Sequence, residues 1–108
     1  MAEMTPKQRL WFAGVVDATL DVRVIPMEGP QKKYTQLVVR LGPFGGRESV
    51  ADRLVDFLGN GWVQNSQGFE LRGYAACRGL FEEVWKDITS DTRRTINNAL
   101  KYYKAQSK

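Results

Sequence analysis

Apolar residues recur along the chain at two different spacings, and the switches between them mark out its elements. Thr5-Pro6-Lys7-Gln8 is a helix start: Thr5 is a capping residue, Pro6 suits the first helical turn, and Gln8 completes a capping box. The helix is predicted to run to about Asp17, carrying Leu10, Trp11, Ala13, Gly14 and Val15. From Leu20 to Pro26 the spacing changes to strict alternation, with Leu20, Val22 and Val24 against Asp21, Arg23 and Ile25, which is a strand with one buried face. A turn from Met27 to Lys33 leads into a returning strand, Tyr34 to Leu41, with Leu37, Val39 and Leu41 on one side and Gln36, Val38 and Arg40 on the other. Gly42-Pro43-Phe44-Gly45-Gly46 breaks that strand, and a helix follows from about Glu48 to Leu58 with Val50, Ala51, Leu54, Val55 and Leu58 as its apolar stripe. Gly59-Asn60-Gly61 ends it. Trp62–Asn65 and Gly68–Arg72 form a hairpin across Ser66-Gln67, and two helices, Tyr74 to Lys86 and Ser90 to Lys104, close the chain. The order is α-β-β-α-β-β-α-α, in one α+β domain over residues 1–108 without repeat or linker.

A length of 108 residues with 43% hydrophobic positions supports one modest core. Sixteen Lys and Arg against twelve Asp and Glu give a net charge of +4, a mild bias towards polyanionic partners. There is no histidine, which removes imidazole acid–base catalysis, Ser-His-Asp and Cys-His arrangements, and zinc sites that need imidazole. A metal here would sit among carboxylate and carbonyl oxygens, a donor set for magnesium or calcium. Cys77 is the single cysteine, so no intrachain disulfide forms and a reducing compartment is expected. The first residues do not read as a secretory signal, and no apolar run approaches the roughly 20 residues that cross a bilayer. The expectation is a cytoplasmic or nucleoplasmic protein, neither secreted nor in a membrane.

The segment Trp11-Phe12-Ala13-Gly14-Val15-Val16-Asp17-Ala18-Thr19 puts two small residues in mid-helix and an acid where the helix turns into a strand. It resembles the LAGLIDADG motif of the homing endonucleases, most closely the variants that begin with an aromatic residue. Residues 53–63 look like that family's middle helix entering its second hairpin, residues 91–103 look like its C-terminal helix, and the α-β-β-α-β-β-α order is its order. The resemblance implies a saddle-shaped four-stranded antiparallel sheet backed by helices, and an origin in a phage or mobile element. It also implies a homodimer, or a heterodimer with a related subunit, joined through Trp11, Ala13, Gly14 and Asp17. Independently of the family, Ala13 and Gly14 carry so little side chain that two such helices can pack backbone to backbone. The competing reading is that they pack on the sheet of their own subunit.

In cleaving members the motif's last acid binds the divalent metals that activate water and stabilise the leaving oxygen. Thr19 stands at that position, and a hydroxyl brings no negative charge to a hard cation. Asp17 matches the first acid, which the family uses more to brace the helix end than to bind metal. The resemblance with this substitution implies no cofactor, leaves Asp17 and Asp21 as the candidate catalytic acids, and brings in magnesium only if the protein cleaves. One alternative stays open: strand alternation would put Asp21 on the face of Thr19, displaced by about 6–7 Å, where it could recruit metal.

The uncovered face of the sheet is expected to carry Thr19, Asp21, Arg23, Ile25, Tyr34, Gln36, Val38, Arg40, Trp62, Gln64, Glu70 and Arg72. A twisted ribbon fits a DNA major groove, where Arg and Gln take base edges in pairs of hydrogen bonds. Lys32, Lys33 and Arg47 lie in turns that can meet phosphates. Candidate nucleic-acid contacts are therefore Arg23, Lys32, Lys33, Tyr34, Gln36, Arg40, Arg47, Gln64 and Arg72, with double-stranded DNA the first partner and RNA the second. Three functions are weighed: a non-cleaving nucleic-acid-binding protein of this class, an active or strand-nicking endonuclease using Asp21 or a partner's acid, and a protein-interaction module or RNA-splicing cofactor. Ile25, Val38 and Trp62 are the residues that keep the last in play.

Overall fold

The structure is a computed structural model and describes residues 4–30, 33–59 and 61–106. Helix α1 is Pro6–Thr19, and its start is as the sequence predicts: the Thr5 hydroxyl accepts from the Gln8 N–H while the Gln8 side chain accepts from the Thr5 N–H. Strands β1 (Asp21–Glu28) and β2 (Lys33–Leu41) form the first hairpin, helix α2 is Glu48–Val55, and strands β3 (Trp62–Asn65) and β4 (Gly68–Arg72) form the second. Helix α3 (Tyr74–Val84) tightens into a 3-10 turn, Trp85–Asp87, before helix α4 (Ser90–Gln106). The fold class is α+β, with one four-stranded antiparallel sheet in the order β1-β2-β4-β3 and four helices. No helix among the described residues is long and apolar enough to cross a membrane.

The sheet is covered on one side. Leu37, Val39 and Leu41 of β2 and Phe69 and Leu71 of β4 meet Phe12, Ala13 and Val16 of α1, Cys77, Leu80, Phe81 and Val84 of α3, and Ile96 of α4 in a single core. Phe12 is completely buried there, which at usual transfer values contributes about 1.5–3 kcal/mol. Gly68, at the start of β4, lies against the end of β2 with φ +109, and a Cβ on it would collide with the Leu41 carbonyl oxygen. Only glycine lets the second hairpin approach the first so closely.

Three expectations are corrected. Helix α1 does not stop near Asp17: the Leu20 N–H still bonds to the Val16 carbonyl, so Thr19 is helical and β1 starts at Asp21. Helix α2 ends at Val55 in tight turns rather than reaching Leu58, and Val55 is left 51% exposed instead of completing the apolar stripe. Pro26, placed at the end of the first strand, lies within it, paired with Thr35 on a strand that forms one rim of the sheet. Proline is tolerated in such a strand when its missing N–H faces away from the neighbour.

Candidate nucleic-acid interface

The register assigns every side chain to a face. Asp21 lies opposite Arg40, Arg23 opposite Val38 and Ile25 opposite Gln36. Val38 in turn lies opposite Arg72, and Arg40 opposite Glu70. These residues share the side of the sheet away from the core, with Tyr34 and Met27 near the turn end of the first hairpin. Arg23, Tyr34, Gln36, Arg40 and Arg72 are therefore brought onto one surface, as expected.

Gln64 and Trp62 are not. Across the two-residue turn Ser66-Gln67, Asn65 pairs with Gly68, Gln64 with Phe69, Val63 with Glu70 and Trp62 with Leu71. A two-residue turn joins residues of opposite parity, so even-numbered residues of β3 share a face with odd-numbered residues of β4. Gln64 and Trp62 thus belong to the helix side, where Trp62 packs against the core, and Val63 takes the place beside Glu70. Lys33 ends the first hairpin opposite Glu28, with its amine 3.7 Å from the Glu28 carboxylate. Arg47 precedes α2, off the sheet, beside Leu10, Gly14 and Phe44. Lys32 lies outside the described residues.

The charges on the bare face are wired to one another. The Arg23 Nε donates to Asp21 Oδ2 at 2.8 Å. The Arg72 Nη1 donates to Gln36 Oε1 at 2.9 Å, and its Nη2 stands 2.9 Å from Glu70 Oε1. Arg40 Nη2 approaches the same oxygen to 3.6 Å. Although both guanidinium groups touch it, Glu70 Oε1 is buried and has no hydrogen bond of proper geometry, so the contact is one of charge and the acceptor is left unfilled. Val38, fully buried although outside the core, is flanked on its two neighbouring strands by Arg23 and Arg72, whose long stems can cover it. Glu70 is the residue of this face that sequence reasoning left unweighted; its central place depends on β4 pairing with β2, a long-range contact.

The residues expected around a metal do not converge. The Thr19 hydroxyl donates to the Val15 carbonyl at 2.8 Å, within its own helix, and being helical it does not share a strand face with Asp21. Asp21 is engaged by Arg23. Asp17 Oδ1 accepts from the Thr89 N–H at 3.0 Å, the Thr89 hydroxyl at 3.2 Å and the Thr92 hydroxyl at 2.7 Å, which pins the end of α1 to the start of α4. Burial alone would raise the Asp17 pKa, but the hydrogen bonds from Thr89 and Thr92 outweigh it and hold the carboxyl below its ordinary value. Among the described residues no group of three or more Cys, Asp or Glu is placed to hold a metal ion. Cys77 is buried and its thiol is pushed up to about 11 by desolvation, which makes it a packing residue and not a nucleophile.

The residues expected at a subunit interface divide. Ala13 is 1% exposed and turned into its own core, and Trp11 packs on Phe57 at 5.4 Å with the Arg53 guanidinium over its ring. Gly14 faces outward with no atom within 4 Å of where a Cβ would be. It lies with Leu10, Ala18, Phe44 and Val50 along a shallow apolar groove, and Leu10 is 64% exposed. Compared with known proteins, the chain matches no family model and no curated protein.

Proposed function

We propose that the chain is a LAGLIDADG-like protein that binds double-stranded DNA through the bare face of its sheet, works as a dimer through the outer stripe of α1, and does not cleave. The observation that carries the reading is the face itself: the side of the four-stranded sheet opposite the helix-packed core, with Arg23, Gln36, Arg40 and Arg72 on it. Guanidinium and amide groups are the donors that take base edges in the major groove. The element order supports the family reading, as does the four-stranded antiparallel sheet. The engaged Thr19 hydroxyl and the Asp21–Arg23 pair support the absence of metal-dependent cleavage.

Exposed ion pairs such as Arg23–Asp21 contribute about 0.2–1 kcal/mol, so phosphates can replace them with little loss. Binding of this kind releases counterions and weakens steeply with salt, whereas an apolar contact does not. The test is fluorescence anisotropy and gel analysis on a randomised duplex pool at low and high salt, with and without magnesium. Salt-sensitive binding that leaves the DNA intact is the expected result. Magnesium-dependent cut products refute the non-cleaving part, and binding indifferent to salt refutes the DNA part.

A further inference from the structure

Glu70 is out of place on a surface meant for a polyanion. Its carboxylate lies at the middle of the bare face, opposite Arg40 on one neighbouring strand and Val63 on the other, with Arg72 two residues along on its own strand. Its side chain is 11% exposed, against 30% for Arg40 and 46% for Arg72, so it sits beneath the two guanidinium groups. Its Oε1 contacts both and is hydrogen-bonded by neither. A buried acceptor in that condition does little for stability, which calls for another reason to have it there.

The reason lies in what it does to the two arginines. A carboxylate beneath them repels any phosphate that approaches and supplies the counter-charge that a phosphate would otherwise bring. It also faces one edge of each guanidinium: Arg40 Nη2 lies 3.6 Å and Arg72 Nη2 2.9 Å from its Oε1, while Arg72 Nη1 donates to Gln36, and no other hydrogen bond engages the Arg72 group among the described residues. Guanine O6 and N7 form the neutral acceptor pair in the major groove that suits two donors of one guanidinium. We infer that Glu70 is the selectivity residue of this surface, a positioning group that disfavours phosphate contacts and reserves Arg40 and Arg72 for guanine, so that the preferred duplex carries G·C pairs where β2 and β4 lie in the groove. The inference rests on the duplex-binding reading above.

Two substitutions move the property in opposite directions. Glu70→Gln keeps the shape and removes the charge; Gln36→Glu adds a second carboxylate beside Arg72. The probes are the duplex that the wild-type chain enriches from a randomised pool and an alternating A·T duplex of equal length, measured by anisotropy across a salt series. The wild-type chain enriches guanine-containing duplexes. Glu70→Gln binds the A·T duplex roughly tenfold tighter, with a salt slope steeper by about one contact and a smaller ratio between the two duplexes. Gln36→Glu weakens A·T binding and widens the ratio, a gain that damage to the fold would not produce. If wild type binds with salt sensitivity but enriches no guanine, or if both variants keep the wild-type ratio, the inference falls and duplex binding stands. If wild type shows no salt-sensitive binding to either duplex, both fall. Should Glu70→Gln fail to fold, as read by circular dichroism, the Gln36→Glu ratio decides alone.

Discussion

Asp17 stands where α1 ends, yet three donors from the start of another helix converge on one of its oxygens. Thr89 closes the N-terminus of α4 by accepting from the Thr92 N–H at 3.3 Å, and the Asp17 charge sits at the positive end of that helix. Replacing Asp17 with Asn should therefore lower stability by about 1 kcal/mol at neutral pH, read as a drop in urea midpoint. Because the folded-state pKa lies below the unfolded one, this contribution is complete above the ordinary carboxylate range and drains away as the pH falls through the folded value. The wild-type advantage over Asp17→Asn should accordingly be constant from pH 6 to 8, about two units or more above the ordinary carboxylate pKa, and shrink only as the pH falls through the carboxylate range; an advantage undiminished below the folded-state pKa would mean the brace is not electrostatic. The sequence made a bracing role for Asp17 legible through the motif. Its partners, 72 and 75 positions away, were not legible, because no local pattern connects the two helices. Thr19 was misplaced onto the strand for a related reason: the backbone bond from the Leu20 N–H to the Val16 carbonyl keeps it helical, with its hydroxyl bonded back to Val15, a choice that alternation alone does not reveal.

At the scale of elements, α1 and the second hairpin show where periodicity is enough and where it needs a second constraint. Ala13 and Gly14 were expected to serve one contact, but adjacent residues on a helix diverge by about 100°. Ala13 accordingly closes on the core while Gly14 looks outward. The proposed dimer must then use the Leu10–Gly14–Ala18 stripe. Gly14→Leu tests it cleanly, since the space above Gly14 is open in the single chain and leucine favours helix by about 0.8–1 kcal/mol. Light scattering should show the dimer mass falling to that of one chain with no loss in melting temperature; an unchanged mass removes the stripe from the interface. In the second hairpin the strand limits Trp62–Asn65 and Gly68–Arg72 agree with the pattern, while the face of β3 does not. The turn length alone already required opposite parity across it, so that error was avoidable from sequence.

Across the whole molecule, the separation into a covered and a bare side of the sheet was the most legible feature, because the core-facing residues Val22, Val24, Leu37, Val39 and Leu41 recur at every second position of β1 and β2. The wiring of the bare side was not, since Arg40, Glu70, Arg72 and Gln36 meet only once β4 docks on β2. If that side meets DNA, Arg40→Ala and Arg72→Ala should each weaken duplex binding by about 1–3 kcal/mol while leaving circular dichroism unchanged. Retained affinity in both variants would move the contact surface elsewhere. The sheet has a rim along β1, and Pro26 sits two residues from the end of that strand. With the donor missing on the outward side, a second chain cannot zip continuously onto that rim, and Arg23 and Glu28 put charge along the same stretch. Growth of the sheet from molecule to molecule is interrupted at that rim, where an unbroken edge would offer a template for fibres.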